Sequence, residues 1–214
     1  MVNLIIRVLA FYFYACLIFF MHGTYAKQNA STAITQPIPI NDIQEYGNYP
    51  VNVRELIAIA LPLSQKKLTY LYGSADPKNN GMDCSGTIYY LLNNVKIHDA
   101  PRQANEMFSW VEKEGKLYRV TQQNFDSPQF ANLKPGDLLF WSGTYAIHRN
   151  PPITHVMIYL GKNTKNEPLM FGASDGRTYQ GKKMRGVSVF DFKLPKEVSY
   201  AKFAGYSCVP HLTC

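Results

Sequence analysis

Apolar residues recur along this chain with two different periods, and the change of period divides it. From residue 52 to 113 the spacing is helical. Asn52-Val53-Arg54-Glu55 sets an N-cap residue three places before a glutamate, a capping-box pattern. Leu56, Ile57, Ile59, Ala60 and Leu61 follow, and Pro62 is expected to end the helix. Residues 74–81 are loop formers. Residues 85–93 carry Ile88, Leu91 and Leu92 along one side, which predicts a second helix. A third is predicted over 101–113, with Pro101 near its first turn.

Beyond the turn Lys134-Pro135-Gly136-Asp137 the pattern becomes that of strands: 138–141, 155–160, 169–171, 187–192 and 203–208. Helices first and strands afterwards argue for an α+β domain with an antiparallel sheet of about five to six strands, not for alternating βαβ units.

The N-terminal part has neither period. Arg7 precedes an apolar run over 8–21, and Thr24-Tyr25-Ala26 has the small-x-Ala form of a cleavage site. Residues 1–26 are therefore expected to be a signal peptide removed on export, leaving no stable membrane insertion. The run is short for a membrane-spanning helix, and Phe13-Tyr14-Ala15 before Cys16 is a poor lipobox. Residues 27–49 are polar, with Pro37 and Pro39, and read as a linker or a loosely packed arm. The folded domain is expected over 50–214, as a monomer.

Composition adds limits. The 214 residues are 46% hydrophobic and 17% charged, which is globular and not disordered. The net charge of +7 admits an acidic partner. There is no long run of Lys or Arg and no nucleic-acid motif, so a polyanionic cell envelope suits the charge and nucleic acid is not expected. Cysteine usage is more pointed. Without 1–26, Cys84, Cys208 and Cys214 remain, an odd number in an oxidising compartment. Cys208 and Cys214 bracket a short C-terminal loop and are expected to pair, which leaves Cys84 as the free thiol.

Cys84 lies in Gly81-Met82-Asp83-Cys84-Ser85-Gly86-Thr87, where loop residues give way to a helix. A thiol at a helix N-terminus meets free N–H groups and the positive end of the dipole, which favour the thiolate and could hold an oxyanion. An arbitrary cysteine is more often structural and buried. A nucleophilic cysteine needs a base. His155, opening the apolar strand Val156-Met157-Ile158-Tyr159, is the best placed; His148 is in a loop, and His98 and His211 read as surface residues. No C-x-x-C or H-E-x-x-H spacing is present, so neither a metal nor a cofactor is expected.

Four ordered segments together carry a resemblance: Asp83-Cys84-Ser85-Gly86, Pro101-Arg102, Leu133-Lys134-Pro135-Gly136-Asp137-Leu138-Leu139-Phe140, and His155-Val156-Met157-Ile158-Tyr159-Leu160-Gly161. With Tyr70-Leu71-Tyr72-Gly73 upstream, the stretch from about 70 to 192 resembles the NlpC-type family of papain-like cysteine peptidases of bacterial peptidoglycan. The resemblance implies a papain-like fold, with Cys84 as nucleophile and His155 as base. It implies that Tyr70 lines the site, that Asp83 and Ser85 hold a substrate amino group, and that Arg102 lies nearby. The implied substrate is the D-glutamyl to diamino acid bond of stem peptides, reached in the periplasm, at the cell wall or outside the cell. An amidase or acyltransferase on the same scaffold, and a non-catalytic wall-binding domain, are the rival readings.

Two departures stand out. Gly172 falls where such peptidases carry a polar residue that orients the histidine. Ser174 is on the same face by alternation and is the best single substitute, with Asp175, a backbone carbonyl or a water as alternatives. A long 143–152 segment precedes His155 and is expected to form a specificity loop or lid.

Overall fold

The structure, a computed structural model, describes residues 32–213. The expected signal peptide and Cys214 lie outside the described residues.

Helix α1 is Val51–Leu63, α2 is Cys84–Asn94 and α3 is Ala104–Lys113. The helical starts differ from expectation at both ends of this set. Pro50, not Asn52, is the N-cap of α1, and the Asn52 carboxamide accepts only the N–H of its neighbour Val53. Pro62 sits inside the last turn, where the helix has few bonds left to lose. Helix α3 begins after Pro101, because Gln103 and Glu106 form the capping box that fixes its start.

Strand β1 (Thr69–Tyr70) pairs in parallel with β2 (Gly81–Met82), a short ribbon that the periodicity did not predict. The remaining strands are β3 (Leu117–Arg119), β4 (Leu138–Ser142), β5 (Ile153–Lys162), β6 (Pro168–Tyr179), β7 (Lys182–Asp191) and β8 (Lys202–Ser207). They form a six-stranded antiparallel sheet in the order β3-β8-β4-β5-β6-β7. The class is α+β, as expected. Helix α2 packs on β5 and β6 at the middle of the sheet, and Ile88, Leu91 and Leu92 are fully buried. Strand β5 is buried along nearly its whole length, which explains its unbroken apolar run.

From residue 32 onward, the stretch read as a linker or loose arm is a strap packed on the domain. Ile34 exchanges backbone hydrogen bonds with Arg185 of β7, both 2.9 Å. Ile43 bridges to Asn163, and the Gln44 N–H donates to the Lys162 carbonyl at 2.9 Å. Ile38 and Ile43 are buried in the core. Neither isoleucine belongs to a periodic apolar run, so neither gives a signal, yet both join the core. Gly161, at φ +95, admits the strap: a Cβ there would lie 2.1 Å from the Tyr49 hydroxyl.

Cys208 is disulfide-bonded, and Cys84 is a free thiol. No helix among the described residues is long and apolar enough to cross a membrane.

Ile43→Ala should destabilise the protein by about 2–4 kcal/mol in urea unfolding. A loosely tethered arm would give a change within about 0.5 kcal/mol. Cys214 is the expected partner of Cys208, closing a loop short enough to contribute at most about 3 kcal/mol. Mass spectrometry of the unreduced C-terminal tryptic peptide, which holds both cysteines, should find it lighter by two hydrogens. A cross-link from Cys208 to any other cysteine would exclude the pairing.

Candidate active site

Cys84 is the first residue of α2 because Asp83 caps that helix. The Asp83 carboxylate accepts the Gly86 N–H at 2.6 Å, an ordinary N-cap bond, and reaches outward as well. Its other oxygen accepts the Gly73 N–H at 2.8 Å, and Arg102 grips both oxygens, at 3.1 and 2.9 Å. Ser85 joins the cluster by accepting from Arg102 at 3.0 Å. Gly86 is required by closeness rather than by φ: a Cβ there would lie 2.1 Å from the Ser74 carbonyl oxygen and 2.9 Å from Arg102. The β1–β2 ribbon sets Tyr70 level with Met82, and its side chain interacts with the Cys84 sulfur.

Tyr70, Asp83, Cys84, Ser85 and Arg102 line one cavity of ≈ 250 Å³. These five expected site residues are therefore together. The 143–152 loop contributes Tyr145 and Arg149 to the same cavity.

His155 is buried beside this group on β5, next to Val156, whose backbone N–H favours the Cys84 thiolate. Its ring is 5.7 Å from that of Trp141, its cross-strand partner. Nε2 of His155 is buried without a hydrogen-bond partner among the described residues. Ser174 does not supply one. It is buried on β6, but the β5–β6 pairing stops at Ile158 and Phe171, short of the point where Ser174 would oppose His155. The alternation argument was right about the face and wrong about the reach. At Gly172 a Cβ would lie 3.1 Å from Met157 Cγ, so Met157 occupies the space of the absent side chain.

Arg177 takes up a neighbouring place that sequence reasoning passed over. Its guanidinium lies 4.2 Å from the Trp141 ring centroid. Burial lowers its pKa to about 10, so it is cationic at neutral pH. An irregularity in the β6–β7 register between Asp175 and Thr178 breaks the alternation that could have revealed it.

Electrostatics here run against the helix-terminus argument. Burial, then the Asp83 charge, raise the Cys84 pKa; the N–H groups of Val156 and Ser85 and the Tyr70 side chain oppose this without reversing it. Burial, and then Arg177, hold His155 well below its ordinary range. The resting pair is a neutral thiol and a neutral imidazole.

The model of the NlpC/P60 family matches residues 67–185. This chain belongs to the NlpC/P60 family. A gamma-DL-glutamyl hydrolase of Bacillus subtilis is 28% identical over 185 residues, covering 82% of this chain and 35% of that protein. An Escherichia coli protein named "Probable endopeptidase YafL" is 32% identical over 92 residues, 43% of this chain and 30% of that protein. The chain thus spans about a third of the length of these curated relatives. A Staphylococcus aureus NLP/P60 family protein described as similar to lipoprotein shares 22% identity at a TM-score of 0.42, over 66% of this chain and 43% of that one. The family match covers the β1–β2 ribbon, the Asp83-Cys84-Ser85-Gly86 turn and His155, and ends within β7.

A raised thiol pKa keeps Cys84 protonated at neutral pH, so its reactivity should climb as pH rises. Alkylation by iodoacetamide should be slower than that of free cysteine at about pH 7 and should still be increasing above about pH 8.5, the ordinary thiol range. A fast rate, flat from about pH 5 to 8, would indicate a resident thiolate and contradict this.

Proposed function

We propose that this protein is an exported cysteine peptidase that hydrolyses peptidoglycan stem peptides at the D-glutamyl to diamino acid bond. Cys84 is the nucleophile and His155 the base. The observation that carries the reading is a free thiol at the first position of α2, opening on a cavity and backed by the strand that bears His155. Family membership supports peptidase chemistry, and the name of the Bacillus subtilis relative supports a γ-glutamyl bond.

The chemistry follows from the neutral pair. His155 takes the thiol proton as sulfur attacks the carbonyl carbon, and the carbonyl electrons move onto oxygen. N–H groups at the start of α2 stabilise that oxyanion. As the C–N bond breaks, the imidazolium returns its proton to the leaving amine, leaving a thioester. Water, deprotonated by His155, then releases the acid and restores the thiol. Tyr70 lines the cavity beside the sulfur. Asp83 and Ser85 were expected to hold a substrate amine, but Asp83 is already neutralised by Arg102, so their work is to build the α2 terminus. The Cys208 disulfide accords with an oxidising compartment.

One observation favours a second reading, a wall-binding domain whose dyad is unused. The buried Nε2 of His155 lacks the acceptor that would steady an imidazolium. Turnover separates the two readings. Purified protein should cleave a γ-D-glutamyl-diamino acid stem peptide, followed by mass spectrometry. Cys84→Ala and His155→Ala should each lower kcat/KM by roughly a thousandfold or more while the protein stays folded. His148→Ala, in the exposed loop, should remain within about threefold of wild type. Full activity in Cys84→Ala would remove the peptidase reading.

A further inference from the structure

Three charged side chains line the cavity beside Cys84: Asp83, Arg102 and Arg149. The first two cancel. Asp83 spends its acceptor capacity on both Arg102 nitrogens and on the Gly73 and Gly86 N–H groups, so it offers little to a cationic ligand. Arg149 has no carboxylate partner among the described residues. Its Nη2 donates to the Tyr145 hydroxyl at 3.2 Å and to the Ile153 carbonyl, which fix the guanidinium in place. Among the described residues Nε is buried with no partner, and both hydrogen bonds of the guanidinium are made by Nη2. A guanidinium held only by neutral acceptors keeps its positive charge uncompensated and its Nη1 hydrogens unspent, and these can take a carboxylate oxygen.

The loop that bears it is braced. The Thr144 N–H and hydroxyl both reach Thr154 Oγ1, at 3.0 and 2.8 Å, which ties the start of the loop to β5. Arg149 is thus presented from a fixed scaffold and loses little freedom on binding. With the Asp83–Arg102 pair closed on itself, the cavity carries one uncompensated positive charge.

We infer that Arg149 is a carboxylate-binding, specificity-determining residue, and that the cleft selects stem peptides with a free carboxylate next to the scissile bond. This rests on the proposed peptidase reading for its substrate. The carboxylate comes either from the glutamyl residue or from the diamino acid, and amidating each in turn distinguishes them.

The test uses the parent γ-D-glutamyl-diamino acid peptide and two derivatives, one amidated at the glutamyl α-carboxylate and one at the diamino acid carboxylate. Affinity is measured by calorimetry on the Cys84→Ala protein, and kcat and KM on the protein with Cys84 intact. One of the two amidations should weaken binding about tenfold to a hundredfold, as losing a charge-assisted bond does. Arg149→Gln should weaken the parent peptide by the same factor and leave the sensitive amide unchanged, so that discrimination disappears. Arg149→Lys should keep part of it, as a charge without the planar guanidinium, and serves as the variant closest to native packing. The loss should appear in KM more than in kcat. Equal binding of all three peptides to the arginine-bearing protein would overturn the inference, as would discrimination that survives in Arg149→Gln. If the Cys84-bearing protein binds with this selectivity but turns nothing over, the peptidase reading fails and the carboxylate site stands.

Discussion

The carboxylate of Asp83 is the point on which this site hangs. It caps α2, and so sets where that helix begins and makes Cys84 its first residue. It takes the Gly73 N–H, and so ties the loop after β1 to the same spot. It holds Arg102, and so joins the segment before α3. Each bond is charge-assisted, and the carboxylate that accepts them is buried, so losing a partner would leave its charge stranded. The backbone must come close for this to work, and Gly86 is what allows it, with the Ser74 carbonyl and the Arg102 guanidinium occupying the room of a side chain.

The same closeness decides the protonation of Cys84. A helix N-terminus lowers a thiol pKa through an interaction of about 0.3–1 kcal/mol, whereas full burial can shift a pKa by as much as 3–5 units, each about 1.4 kcal/mol. Burial wins, and the nearby Asp83 charge adds to it. Reading the helix start alone placed Cys84 at the first position of α2 but implied the opposite resting state. Position along the chain was visible in the sequence, whereas depth beneath the surface was not.

Much else was legible for a definable reason. Elements whose apolar residues repeat were found: α2, and β4 to β8 in outline, as was the antiparallel α+β class. Elements stabilised by single contacts were not. Ile38 and Ile43 in the strap, the two-residue strands β1 and β2, and β3 each lack a period long enough to stand out. The site divided in the same way. Cys84, Tyr70, Asp83, Ser85 and Arg102, carried by ordered motifs, share one cavity. Ser174 was reached by extrapolating strand alternation past the end of the β5–β6 ladder, where alternation no longer implies contact. Arg177 lies beyond a register irregularity on the same strand, so the rule that misplaced Ser174 also hid Arg177.

Charge around the dyad is lopsided, and this bears on how it could work. The thiolate has supporters: two backbone N–H groups, Tyr70, and the Arg177 cation, whose pKa burial lowers and the Cys84 charge only partly restores. Among the described residues the imidazolium has no such support: Arg177 opposes it and Nε2 faces no acceptor. Creating both charges together is therefore uphill, chiefly on the histidine side. A peptidase needs the imidazolium only during the tetrahedral stage of acylation and, when water attacks, of deacylation. At that stage the negative charge has moved from sulfur to the carbonyl oxygen, and a bound peptide has displaced water and brought its own dipoles. A carboxylate held nearby would offset part of the positive field that disfavours a protonated His155, because a negative charge within a few ångströms stabilises a cation. On this view the fold keeps a neutral, unreactive thiol at rest, and the charge missing from the protein is one the substrate carries in.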